Sequence, residues 1–162
     1  MLLSIAATMT LTGWSERTVW RRFAGHIVKS EISNRRSTIP LDAIAPHLCL
    51  PLAPEDLPVL ERADAGDVES QHAVALLLLS SGKPEGAIDW LELAAKHGHA
   101  DAMNLLGTCY IEGNGRPKDE NLGIVWIAKA AALGHVISQR QMDFIRGRER
   151  KPGSGLPLHA PL

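Results

Sequence analysis

The chain has 162 residues, 45% of them hydrophobic and 22% charged, which is enough apolar material for one compact domain or two small ones and excludes a chain disordered throughout. Net charge is −1 but unevenly placed: Met1 to Arg36 carries six Lys/Arg against two Asp/Glu, residues 37–145 seven against fifteen, and residues 146–162 four against one. A basic head on an acidic body implies different partners for the two parts, while two cysteines, Cys49 and Cys109, exclude a disulfide framework. No apolar run is long enough to span a membrane. The apolar start, Met1 to Met9, lacks a basic leader and runs into Trp14-Ser15-Glu16-Arg17, which argues against a secretory signal, so the expected location is cytoplasmic.

In chain order, Ile5 to Leu11 is expected to form a short helix that ends in the turn Thr12-Gly13-Trp14. Ser15 then caps a second helix, Glu16 to Ala24, with Val19 and Phe23 one turn apart on its inner side. Arg17 with Arg21, and Thr18 with Arg22, fall on other faces, and Trp14 and Trp20 are assigned to the core because so small a unit has few other large side chains. After Gly25, the runs His26 to Lys29 and Ser37 to Pro40 read as short strands around the polar tip Ser33-Asn34-Arg35-Arg36.

This order of elements, from about Leu2 to His47, resembles the small winged-helix domains of the excisionase and MerR-like type. The resemblance implies that the second helix enters the major groove of DNA, with Arg17, Thr18, Arg21 and Arg22 facing it and Lys29, Arg35 and Arg36 on phosphates. The residues alone leave an alternative, in which these arginines are a solvated helix face on a docking domain.

Pro46, Pro51, Pro54 and Pro58 cluster after this region. They divide the chain into a 1–47 winged helix-turn-helix-like domain, a 48–54 linker, a 55–146 helical array and a 147–162 basic, disordered tail. A helix starting at Pro54 is expected to pack Leu57, Leu60, Ala63 and Ala65 inward and to end at Gly66. Further helices are expected over Glu69 to Leu79, Pro84 to His97, Asp101 to Ile111, Asp119 to Leu133 and Ile137 to Ile145.

Within the array Trp90 and Trp126, Ala95 and Ala131, and Gly98 and Gly134 are each 36 residues apart, the signature of a helical repeat. Gly66 lies only 32 residues before Gly98, because the loop from Glu112 to Lys118 is four residues longer than Ser80 to Lys83. Leu106-Gly107-Thr108-Cys109-Tyr110, Gly113-Asn114-Gly115, Asp119, Trp126, Lys129-Ala130-Ala131 and Gly134 together resemble Sel1-like repeats, relatives of the tetratricopeptide repeat. The upstream copy departs from the pattern, with Ala75 in place of the first glycine and no Gly-x-Gly loop. The fold class is therefore expected to be mainly α, a short α-solenoid of Sel1-like hairpins behind the small N-terminal domain, and the resemblance implies a scaffold or adaptor role.

An array this short exposes apolar faces at its ends. The last helix carries Ile137, Met142 and Ile145 with nothing after it, so these three are the candidate partner-binding residues, toward another protein or a second copy in a homodimer.

Chemistry is not legible. His97, His99 and His135 flank turn glycines and read as surface turn residues rather than metal ligands, and Cys49 and Cys109 sit among apolar residues as structural thiols. Gly113-Asn114-Gly115 lacks the continuation of a phosphate loop, and the acid pairs Asp64/Asp67 and Asp119/Glu120 suit capping better than acid–base work. No catalytic residue, metal or cofactor is assigned. The expected function is a non-enzymatic DNA-associated regulator or adaptor that binds a partner protein through its repeats, with a pure interaction scaffold as the alternative.

Overall fold

The computed structural model describes residues 1–29 and 37–149. The expected wing tip, including Arg35 and Arg36, and the tail beyond Glu149 lie outside the described residues.

The N-terminal part pairs a helical turn-helix segment with a small sheet. Strand β1 (Leu2–Ser4) leads directly into α1 (Ile5–Thr12), where the Ser4 hydroxyl accepts the Ala7 amide at 3.1 Å and so caps the helix. Gly13, at φ 69°, ends α1, and Ser15 caps α2 (Glu16–Arg22) by accepting the Thr18 amide at 3.4 Å. Helix α2 stops at Arg22, two residues before the expected end. Strands β2 (Val28–Lys29) and β3 (Ser37–Pro40) follow, and β3 is central in an antiparallel sheet of order β1-β3-β2. β1 is too short to show a period of two; pairing makes it a strand, with Leu3 opposite Ile39 and both side chains fully buried. A short helix α3 (Leu41–Ile44) and a 3-10 turn, Ala45–His47, complete this part.

The segment after the turn does not stand clear of the fold. The Cys49 amide donates to the carbonyl of Leu11 at 2.8 Å, and Leu50 is buried. Helix α4 (Asp56–Ala65) starts two residues after Pro54, because the Asp56 carboxylate accepts the Ala53 amide at 2.8 Å and closes a turn there first.

Four helices then make two hairpins: α5 (Val68–Ser80) with α6 (Pro84–Lys96), and α7 (Ala100–Glu112) with α8 (Glu120–Ala132). Helix α9 (Val136–Glu149) packs on α8. Gly66, Gly98 and Gly134 follow α4, α6 and α8 at φ 104°, 87° and 90°, the left-handed conformation that ends each inter-repeat turn. Helices α7 and α8 touch backbone to backbone at two glycines: a Cβ on Gly107 would lie 2.7 Å from the Gly123 carbonyl oxygen, and one on Gly123 would lie 2.6 Å from that of Gly107. In the first hairpin the corresponding positions hold Ala75 and Ala87, both fully buried.

One hydrophobic core runs from Leu3 and Leu11 through Leu60, Leu78, Ile88 and Leu91 to Leu106 and Ala130. Helix α1 joins it by lying on α6. Gly86 allows the approach, since a Cβ there would come within 2.9 Å of the Thr10 carbonyl oxygen, and the Trp90 indole N–H donates to the Thr10 hydroxyl at 3.0 Å. The Ser4 amide and hydroxyl both donate to Asp64 of α4, the amide at 2.7 Å.

Trp20 corrects the sequence reading. It is 37% exposed, with its indole N–H on Glu16 at 3.2 Å. The core of this small unit is filled by Leu3, Leu11, Val19, Phe23 and Ile39, which leaves no room for a second tryptophan. Trp14 is half-buried, stacked on Phe23 at 6.0 Å between ring centres and tilted against His47 at 5.0 Å.

Candidate functional site

Three surfaces carry the candidate residues. The first is α2 with the strand behind it. Arg17 and Arg21 are exposed one turn apart, Thr18 is half-exposed and bonded to the Ser15 hydroxyl at 3.0 Å, and Lys29 is exposed at the end of β2. Arg22 is also exposed, but its guanidinium lies 4.5 Å over the Trp14 ring, so it is partly committed to its own unit. The structure therefore brings Arg17, Thr18 and Arg21 together on one side of α2.

The second surface is the end of the array. Here the three predicted partner residues do not form one strip. Ile137 is 59% exposed beside Leu133 and Val136, which are also exposed, whereas Met142 and Ile145 are half-buried on the side of α9 that carries the fully buried Ser138. That side is held by polar bonds invisible in a hydropathy pattern: the Asn104 amide donates to the Ser138 hydroxyl at 2.8 Å and to the Gln141 carbonyl oxygen at 2.7 Å.

The third surface is the row of inter-repeat turns. Asp67, His99 and His135 hold corresponding places, and each caps the next helix: their side chains accept the amides of Ser70, Ala102 and Ser138 at 2.8, 3.1 and 3.1 Å. An imidazole that accepts at Nδ1 keeps its proton on Nε2. In His99 that Nε2 lies 3.2 Å from Glu69, and in His135 it lies 3.2 Å from Asp101, the acid at the corresponding place one repeat later. Neither contact is aligned as a hydrogen bond, and the buried His99 Nε2 has no hydrogen-bond partner among the described residues.

These histidines were expected as surface turn residues; the side chains of His99 and His135 are instead 8% and 14% exposed and work as caps. His97 is exposed. The His72 ring lies tilted against His99, 4.5 Å between ring centres, and burial, followed by repulsion from His99, lowers its pKa below the usual histidine value.

Among the described residues no group of three or more His, Cys, Asp and Glu is placed to hold a metal ion. Cys109 is buried and Cys49 half-buried, and burial raises both thiol pKa values, away from the thiolate that a nucleophile needs. Among the described residues no helix is long and apolar enough to cross a membrane.

Sequence reading missed one further feature, a groove of about 680 Å³ between α1 and α2 on one side and α4 and α6 on the other. It brings together residues as far apart as Ser4 and His97, so no local signal points to it.

Comparison with known proteins agrees with this geometry. Residues 68–99 and 100–135 match the family model for the Sel1 repeat, and these are the two hairpins with their closing turns. Among solved structures the chain is similar to a Sel1 repeat protein from Oxalobacter formigenes, at 32% identity over 54% of this chain and 68% of that one, with a TM-score of 0.49. No curated protein matches the chain. Sel1 repeats are typically non-catalytic modules of protein–protein interaction, and residues 68–135 of this chain are two Sel1 repeats.

Proposed function

We propose that the chain is a non-enzymatic, two-part adaptor: residues 1–47 act as a winged helix-turn-helix that contacts duplex DNA, and the array over 55–146 holds a partner protein. The observation that supports the DNA contact is the exposure of Arg17 and Arg21 on one side of a helix that follows a tight glycine turn. Among the described residues neither they nor Lys29 are ion-paired, so all three charges are available to phosphates. Partner binding draws on the repeat faces and on the exposed patch of Leu133, Val136 and Ile137, while Met142 and Ile145 are half-buried on the other side of α9.

A gel shift with duplex DNA at low salt tests the first half. Binding should weaken steeply as salt rises, because phosphate contacts release counterions, and Arg17→Ala with Arg21→Ala should abolish it while helix content is unchanged. Unaltered duplex affinity in the double variant would sink the groove-helix assignment.

A second reading, a pure interaction scaffold with a docking N-terminal unit, has its own support. Helix α1 is fastened to α6 through Trp90 and Thr10, and Ser4 to α4 through Asp64. Absence of duplex binding in 20 mM-range salt, about as weak a screen as is practical, would favour this reading.

A further inference from the structure

We infer that the groove between α1/α2 and α4/α6 is a binding site for a partner segment that carries an arginine or lysine beside an apolar residue. This rests on the protein-interaction reading and names the chemistry of the partner.

The first observation is Gln71. It is 4% exposed and lines the groove; its Nε2 donates to the Ala63 carbonyl at 3.3 Å, but its Oε1 is buried with no donor. A buried acceptor left unpaired is costly, and the cost is relieved when a bound molecule brings an N–H to it.

The second observation is charge. Asp64, Asp89 and Glu92 line the groove against one lysine, Lys96. Asp89 is already neutralised by Arg116. Asp64 accepts from Ser4 and Glu92 accepts from the Tyr110 hydroxyl at 3.1 Å, so both are hydrogen-bonded, yet no cation among the described residues pairs with either. With Asp89 neutralised, two carboxylates face one lysine across the groove, a net negative recess that favours a cation.

The third is Trp20, which the filled core of the N-terminal unit leaves exposed on the surface. It lines the same groove, and a tryptophan face is the best aromatic surface for a guanidinium or ammonium group. Ile5, Met9 and Leu93 provide the apolar part of the wall, which suits the neighbouring side chain of a peptide. A guanidinium brings five N–H donors, enough to serve a carboxylate and the Gln71 oxygen together.

Fluorescence anisotropy with the full chain and a labelled acetyl-(Leu-Arg)2-Leu-amide peptide tests this, against the same peptide with Gln or Glu in place of Arg. The Arg peptide should bind at least tenfold more tightly than the Gln peptide, and the Glu peptide should not bind. Trp20→Ala, Glu92→Gln and Gln71→Leu should each weaken binding about fivefold or more with melting temperatures that show an intact fold. Lys96→Glu should tighten it.

Equal affinity for the three peptides, or unchanged affinity in Trp20→Ala, overturns the proposal. So does equally tight binding of free acetyl-arginine-amide, which would make the groove a small-cation site. Failure of the wider reading looks different. If the wild-type chain retains proteins from a lysate and Trp20→Ala retains them equally, the groove is wrong and the interaction reading stands; if nothing is retained, that reading fails as well.

Discussion

Gly107 and Gly123 show why single positions matter in this array. A methyl group at Gly107 would meet the Gly123 carbonyl oxygen and the Ile127 side chain at 2.7 Å, and backbone cannot give way as a flexible side-chain tip can. Gly107→Ala is therefore expected to destabilise the protein by roughly 1–3 kcal/mol, the usual cost of overpacking, as read by chemical denaturation. Gly147→Ala is the control: nothing lies within 4 Å of its added Cβ, and in a helix the change should be neutral or stabilising by up to about 1 kcal/mol. A loss of stability at Gly147 as large as at Gly107 would show that helix propensity and not contact governs both. The two recurring tryptophans also separate at this scale. Trp90 is 3% exposed, so Trp90→Ala should cost about 3–5 kcal/mol; Trp126 is half-exposed beneath the Lys129 ammonium, 4.1 Å from its ring centre, and Trp126→Ala should cost clearly less. Equal costs in paired thermal melts would contradict this placement.

At the scale of elements, each inter-repeat helix start depends on one capping side chain, and the residue type varies. His99→Ala should cost about 1 kcal/mol, whereas His99→Asp should be tolerated because Asp67 fills the same place one repeat earlier. The caps also carry a pH dependence through His72, which packs on His99. Its folded pKa is lowered, by burial first and His99 second, against the opposing pull of Asp101 and Glu69. The unfolded chain thus takes up a proton near pH 6.5 that the folded chain still refuses, so stability should fall as pH drops below about 6.5 and level off at His72's lower folded value. His72→Gln should flatten that slope in denaturation series between pH 7 and pH 5; an unchanged slope would assign it to another group. Helix α1 meets α6 at Gly86, so Gly86→Ala should loosen the N-terminal helices, seen as faster amide exchange in α1 with α7 and α8 unaffected.

For the whole molecule, the end of the array is the place where packing and association compete. Ile137 is exposed and Ser138 is fully buried, while Met142 and Ile145 sit half-buried on the buried side. Met142→Lys with Ile145→Lys should then lower the melting temperature, because it puts charge against α8, while Ile137→Lys should leave it within about a degree or two. Light scattering on both variants separates packing from association: a stable protein that has merely become monomeric in the Met142/Ile145 double variant would show that these two residues serve an interface instead.

The array was legible in the sequence because its determinants are local and repeated. The 36-residue spacing of Trp90 and Trp126, and the glycines at 66, 98 and 134, mark helix ends and turns whatever else surrounds them, since a left-handed residue favours glycine on backbone sterics alone. The helices α1 and α2 were legible for the same reason, through Gly13 and Ser15. Tertiary structure alone decided the exposure of Trp20, the inward turn of Met142 and Ile145, the capping work of His99 and His135, and the groove itself. The caps are local, to Ala102 and Ser138, but the burial of these histidines and the rest depend on partners distant in sequence: Thr10 with Trp90, Asn104 with Ser138, Glu69 with His99, Ser4 with Asp64. A hydropathy pattern records whether a residue prefers burial, but which surface meets which is set only when the helices close on one another.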